Sequence, residues 1–265
     1  MEQTVKTGIA SEGGHWYGVD GSPCYEIEMK TKPGEFRPVN LRDARKLNLV
    51  PSVTTITKAV LAAPGLERWK QEQILMAALT LPPVEGESLD DYARRIRDDG
   101  QEHARQAAQR GTDIHAAIES VYCGREIPKE FYAEVCGTIE AINSIHPFGA
   151  WQAEKSFAHP IGYGGKVDLH STAAEIVVDF KTKEFSADCD KKLHWPEQAI
   201  QLAAYREGLD IPKARCFNVF VSTSEPGVVR VHEWDEADIS SGWEVFRRAL
   251  EIWQIQKGYV PEVTQ

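Results

Sequence analysis

The sequence predicts an α/β core beneath a helical N-terminal cover. Two observations carry this. Residues 51–145 are rich in helix signals, with capping residues at the starts and proline or glycine at the breaks. From residue 151 the texture changes to alternating and β-branched runs, interleaved with helical stretches. The order is helices, three strands, a helix, two strands and a helix, which fits a sheet packed by helices.

Residues 1–50 are loop-rich, with Gly13-Gly14, Gly21-Ser22-Pro23 and Pro33-Gly34. Trp16–Val19 and Tyr25–Met29 suggest an N-terminal hairpin. Pro51-Ser52-Val53-Thr54-Thr55 reads as a helix start capped by Ser or Thr. That helix is expected to break near Pro64-Gly65, resume through Leu79 and stop at Pro82-Pro83. Residues 84–88 read as a mobile connector. Ser88-Leu89-Asp90-Asp91 offers a capping box for helix through about residue 123, with Gly111 marking a break. A further helix covers roughly 129–145 and ends before Pro147.

Strands are predicted at Trp151–Ala158, Gly165–His170 and Glu175–Lys181. A helix follows over Pro196–Glu207, then strands over Ala214–Ser222 and Val228–Glu233. Asp238–Gln256 reads as an amphipathic helix whose Trp243, Phe246, Leu250 and Trp253 form a core stripe.

The 265 residues suffice for one large domain, and 42% hydrophobic with 26% charged residues is ordinary for a globular protein. Thirty basic against forty acidic residues give a net charge of -10, which argues against a uniformly basic DNA-coating protein. The five cysteines, Cys24, Cys123, Cys136, Cys189 and Cys216, form no C-x-x-C pair. Free thiols and a cytoplasmic location are expected. No signal pattern or membrane-spanning apolar run is present, so no membrane partner is expected.

The chemistry concentrates in Gly165-Lys166-Val167-Asp168 and Asp179-Phe180-Lys181. Strand residues i and i+2 share a face, so Asp179 and Lys181 can share a pocket. A hairpin would bring Asp168 to them. Two carboxylates and an ammonium suit a divalent metal and a phosphate, hence metal-assisted phosphodiester hydrolysis. The flank Ile176-Val177-Val178 reads as a buried strand, where Asp and Lys need partners or a role.

Other candidates have ordinary structural readings when taken singly. His115 and Glu119 lie one helical turn apart and face the same way, and imidazole can join carboxylates at a metal. A single helical His is more often packed or solvated. Glu154 sits on the first core strand, where a solvated face is the simpler reading. Lys183 continues the Lys181 face. Gln198, Gln201 and Tyr205 form one polar helix stripe, suited to hydrogen bonding but equally to solvent.

The ordered set Gly111-x-x-x-His115, Glu154, Gly165-x-x-Asp168, Asp179-x-Lys181 and Gln201-x-x-x-Tyr205 resembles the PD-(D/E)XK nuclease superfamily, in its RecB-like exonuclease branch. The resemblance covers roughly residues 51–235. Pro51-Ser52-Val53-Thr54-Thr55-Ile56 is similar to a segment of the mitochondrial genome maintenance exonuclease and its phage and bacterial relatives. The resemblance implies a restriction-endonuclease-like core, a central mixed sheet flanked by helices. It divides a single domain into an N-terminal extension (1–50), a helical cover (51–150), a catalytic core (151–235) and a C-terminal helix (236–265).

The resemblance also implies roles. Asp168, Asp179, His115 and the Phe180 backbone carbonyl would hold one or two Mg2+ or Mn2+ ions. Lys181 would position the attacking water and stabilise charge on the phosphate, acting as a cation rather than a free-standing base. Gln201 and Tyr205 would support the site and the substrate backbone, and Glu154 would act through water or a second metal. The cysteine positions do not match the four-cysteine iron-sulfur members, so no cluster is expected. No Walker A sequence is present, so no ATP is expected.

DNA is the expected partner, with a single-stranded end favoured. Lys58, Arg68, Lys70, Arg94, Arg95, Arg97, Arg105 and Arg110 could line a groove, with Lys183 and Gln198 beside the site and Trp69 and Tyr92 stacking on bases. Residues 80–100 are the candidate for an arch over a threaded strand. The alternatives are a double-strand exonuclease working with an annealing or recombination partner, a structure-specific endonuclease, or a non-catalytic nucleic-acid-binding module.

Overall fold

Every strand expected between residues 151 and 233 forms, and together they make one five-stranded mixed sheet. The computed structural model describes residues 5–6, 14–62, 64–147 and 149–263. Gly13 of the expected N-terminal turn lies outside them.

In chain order the strands of the central sheet are β6 (Gln152–His159), β7 (Tyr163–Ser171), β8 (Ile176–Lys183), β9 (Arg215–Ser222) and β10 (Val229–Trp234). The sheet order is β10-β9-β8-β7-β6. All neighbours are antiparallel except β8 and β9, which are parallel. Helix α6 (Pro196–Gly208) makes the β8-to-β9 crossover, as a parallel pair requires.

Two apolar layers sandwich this sheet. On one face, Ile114 and Ile118 of α4 (Leu89–Tyr122) and Val135 and Ile142 of α5 (Tyr132–Ile145) pack on Leu169, Val178 and Phe180. On the other, Leu202 and Ala203 of α6 and Phe246, Leu250 and Trp253 of α7 (Glu236–Lys257) pack on Val177 and Cys216. Strand alternation therefore sends Val178 and Phe180 towards α4 and Val177 towards α6. Asp179 and Lys181 share the parity of Val177 and face α6.

The N-terminal segment differs from the expected hairpin. β2 (Trp16–Tyr17) pairs with β5 (Val50–Pro51), whereas β3 (Glu26–Glu28) pairs with β1 (Val5–Lys6) and β4 (Phe36–Pro38). Among the described residues no ladder joins the two expected arms: a bridge joins Tyr17 to Pro23, the Trp16 carbonyl accepts from Cys24 N–H at 2.8 Å, and the Tyr17 and Tyr25 hydroxyls lie 3.0 Å apart. Tertiary packing decides this: Trp16 is buried in the main core and Tyr17 against Val50 and Tyr25, so the two segments meet through side chains while their backbones pair elsewhere. Helix α1 (Leu41–Leu47) then leads to β5.

Ser52 caps α2 (Val53–Val60), its Oγ accepting from Thr55 N–H at 2.9 Å. α3 (Pro64–Thr80) starts at the expected proline, and Ser88 caps α4. The segment 51–150 serves two places. α2 packs with α6 and α7, and the second half of α4 with α5 lies on the sheet. α3 packs along the first half of α4 and forms an arm. At 34 residues, α4 is about 51 Å long at 1.5 Å per residue.

Gly111 does not break α4. The helix runs through it, and a Cβ there would come within 2.6 Å of Thr182 Oγ1. The residue is small because the helix crosses β8 closely. The connector at 84–88 is a tied turn: Arg95 donates to both Glu87 oxygens at 2.8 and 2.9 Å and to Pro82 O at 2.9 Å. Tyr92 Oη donates to Leu81 O at 2.9 Å.

Candidate active site

The site lies where the sheet opens between β7 and β8. Their ladder has only three pairs and ends at Leu169 with Val178. The next residues, Asp168 and Asp179, are in register, but Asp168 Oδ2 accepts from the Phe180 N–H at 2.8 Å in place of a ladder bond. On its other side β8 continues with β9 for eight residues, Ile176 to Lys183. β8 is therefore held firmly by β9 while β7 leaves a mouth, with one aspartate on each lip.

Asp179 is 2% exposed and fully engaged. Lys181 Nζ lies 2.8 Å from its Oδ1 and 2.6 Å from its Oδ2. Gln201 Nε2 donates to Oδ1 at 3.0 Å, and Asn218 Nδ2 donates to Oδ2 at 2.7 Å. Gln201 also accepts from Lys181 Nζ at 3.2 Å and donates to Tyr205 Oη at 2.8 Å. One turn of α6 separates Gln201 from Tyr205, so one helix face supplies both.

His115 comes from α4 on the far lip, its Nδ1 3.8 Å from Asp168 Oδ2. Burial, and after it the Lys181 charge, lowers His115 to about 4. The ring is therefore neutral at neutral pH, with a lone pair free for a cation. Burial raises both Asp168 and Asp179 above the usual carboxylate range, with Lys181 acting against it. Tyr205 is raised well above a normal phenol, by burial first and then by Asp179 and Asp168. Two carboxylates thus share the ammonium of Lys181 in a poorly solvated place.

That imbalance and the donor types suit a hard divalent cation. Among the described residues, however, no three His, Cys, Asp or Glu side chains are grouped to hold a metal. Asp179 gives both oxygens to protein donors. Asp168 and His115 form the open edge. The five cysteines are free thiols.

The remaining expected residues are placed as follows. Glu154 lies on edge strand β6 with φ of +58°, at the position where the β6–β7 ladder is interrupted between Ala153–Leu169 and Lys155–Val167. Its carboxylate pairs with Lys166, whose charge acts on Asp168 and His115. Glu119 of α4 pairs with Arg125 and raises Asp168 slightly through its charge. Gln198 ties the start of α6, its Oε1 accepting from Trp195 N–H at 3.0 Å. Lys183 Nζ donates to Leu193 O. Arg110 reaches Glu134 at 3.4 Å, and Lys70 pairs with Glu67 at 2.9 Å on the arm. Arg95 and Tyr92 are used in the turn described above. These six DNA-binding candidates therefore have internal partners; Lys183 lies two residues beyond Lys181 on β8 and Gln198 one turn before Gln201 on α6.

Asn218 was not among the expected residues. It is fully buried in β9, directly beside Asp179 in the parallel ladder. Its Oδ1 accepts from Trp234 Nε1 at 2.7 Å. The sequence does carry a signal: one amide within the apolar run Cys216-Phe217-Asn218-Val219-Phe220-Val221, which burial forbids without partners.

No protein-family model and no curated protein matches this chain. Among solved structures, a "putative exonuclease" from Eubacterium rectale is similar over 56% of this chain and 67% of its own, at 15% identity and a TM-score of 0.41. SSO0001 is similar over 69% of this chain and 85% of its own, at 16% identity and a TM-score of 0.30. Both are distant likenesses of fold, so function is argued from the site. Among the described residues no helix is long and apolar enough to cross a membrane.

Proposed function

We propose that this chain is a metal-dependent nuclease of the PD-(D/E)XK type that hydrolyses DNA phosphodiester bonds from single-stranded ends. The observation that carries the reading is the Asp168, Asp179 and Lys181 group at the β7–β8 mouth, with Gln201 and neutral His115 closing it from two helices. A half-buried ammonium held on a buried carboxylate, with a second carboxylate beside them, has no packing purpose that an apolar residue would not serve better.

Asp168, Asp179 and His115, with the Phe180 carbonyl, are the residues that would hold Mg2+ or Mn2+. The bound ion would supply a water activated at neutral pH and positive charge for the phosphate. Lys181 supplies a second positive charge, aimed by Gln201, to stabilise the phosphorane-like transition state. Gln201 takes its own orientation from Asp179 and Tyr205. Asn218 fixes the outer oxygen of Asp179, so the carboxylate is held before substrate arrives.

The test is digestion of end-labelled linear single-stranded DNA, linear duplex and circular single-stranded DNA, with Mg2+, Mn2+ or EDTA. Loss of linear single strands, sparing of circles, and inactivity of Lys181→Ala and Asp179→Ala are the expected results. Full activity of both variants in clean preparations, or none in folded wild type under every condition, would overturn the reading.

A further inference from the structure

The segment that leads into α6 carries an aromatic surface that the proposed chemistry leaves unused. Trp195 is 47% exposed, although it is the largest side-chain type and stands at the start of the helix bearing Gln201 and Tyr205. Large apolar rings are normally turned inward. Its backbone is held firmly. Trp195 N–H donates to Gln198 Oε1 at 3.0 Å, and its carbonyl accepts from Gln198 N–H at 3.0 Å. Pro196 follows at the first helical position.

The residues before it are anchored too. Leu193 is buried, and its carbonyl accepts from Lys183 Nζ. His194 stacks on His232 with centroids 3.6 Å apart and planes 4° apart. Lys191 and Lys192 are exposed, and Lys192 Nζ lies 5.9 Å from the Trp195 ring. The result is a half-exposed ring on a rigid base, with the Lys192 ammonium over one face and exposed Lys191 next to it in the chain. Gln201, which touches both Lys181 and Asp179, lies six residues along the same helix. That is about 9 Å of helix axis, roughly the span of two to three stacked bases.

We infer that Trp195 is a stacking platform for a base of the single strand near the scissile phosphate, with Lys191 and Lys192 drawing in the flanking backbone. This inference rests on the nuclease reading above and deepens it by naming a substrate contact. A tryptophan face is tolerant of base identity, so it suits an enzyme that must accept any sequence. Arg95, Tyr92 and Arg110 on α4 already have protein partners, whereas this loop is tied to Lys183 and keeps Trp195, Lys191 and Lys192 exposed.

The test is fluorescence anisotropy in EDTA with a labelled twelve-nucleotide oligothymidylate and the same strand carrying a central abasic block. Wild type should bind the base-bearing strand more tightly. Trp195→Ala should weaken it about fivefold or more, the range expected for one lost base–aromatic stack, and bind both strands alike. Trp195→Phe should keep most of the discrimination. In steady-state cleavage Trp195→Ala should raise KM with kcat near wild type.

Unchanged affinity of folded Trp195→Ala for oligothymidylate would overturn the inference. So would an equal loss on both strands, or no binding by wild type. The nuclease reading is judged separately, by Lys181-dependent cleavage. It can fail while Trp195-dependent binding persists, or stand while the stacking role falls.

Discussion

Asn218 Nδ2 donates to Asp179 Oδ2 at 2.7 Å across the parallel β8–β9 ladder, and both side chains are buried, so water is poorly placed to replace that bond. Trp234 Nε1 holds the other end of the amide. Asn218→Leu would leave a buried carboxylate oxygen and a buried indole N–H without this partner. A hydrogen bond to a charged group contributes about 1.5–3 kcal/mol. Urea unfolding in EDTA should show a loss of about that size, with cleavage reduced at least about tenfold. Wild-type activity in a destabilised Asn218→Leu would mean that Lys181 and Gln201 alone orient Asp179.

Phe157 links two glycines to Tyr205. Its ring stands edge-on to Tyr205 at 6.2 Å, and a Cβ on Gly208 would lie 2.0 Å from it. A Cβ on Gly165 would come within 2.9 Å of Phe157 and 3.0 Å of Tyr205. These glycines give room for rings behind the site. Gly208→Ala should therefore destabilise by about 1–3 kcal/mol through overpacking, despite alanine's better helix propensity. Phe157→Leu should recover part of that loss if the clash is the cause. A double-mutant cycle on thermal unfolding measures the coupling, and additive effects would exclude the contact.

Acid stability has an assignable contribution in the N-terminal segment. Asp43 accepts from Arg37 at 2.6 and 2.9 Å and from Asn40 N–H at 3.2 Å. The Arg37 bonds hold its carboxyl below the ordinary range. A carboxyl lowered on folding stabilises the fold above its unfolded pKa, and the contribution is lost as pH falls through the folded value. Asp43→Asn should thus cost stability at pH 7 and little well below the ordinary carboxylate range. Chemical unfolding of the two proteins across that interval should converge at the acid end. A constant gap would assign the loss to packing instead.

The core was readable because its signals are local. The apolar flank of Asp179, the alternation along β6 to β10 and the Trp243–Trp253 stripe all report burial directly, and each element forms within a residue or two of its expected place. Strand parity put Asp179 and Lys181 on one face and a hairpin brought Asp168 near them, whereas helix spacing gave Gln201 and Tyr205 only a common face and their place at the site came from the family resemblance. What stayed hidden depends on distant packing. Gly111 looked like a helix break because its close neighbour, Thr182, lies seventy residues away. The pairing of Trp16 with Pro51 is non-local in the same way. Arg95 and Arg110 read as surface cations because Glu87 and Glu134 can be matched to them only in three dimensions.

The charge imbalance at the β7–β8 mouth gives a direct test of cation binding without catalysis. Burial raises Asp168 and Asp179, so each opposes folding as pH rises through its folded value. A divalent ion would relieve that cost. Millimolar Mg2+ or Mn2+ should therefore raise the melting temperature, by about 2.7 kcal/mol of stabilisation when the ion is at a hundred times its Kd. Asp168→Asn keeps an oxygen for the Phe180 N–H but removes one poorly solvated charge. It should melt at or above wild type in EDTA and lose the metal response. A wild-type metal response in Asp168→Asn would place the ion elsewhere. A lower melting point in EDTA would show that the Asp168 carboxylate stabilises the apoprotein, through Lys181 and the Phe180 N–H, more than its burial costs.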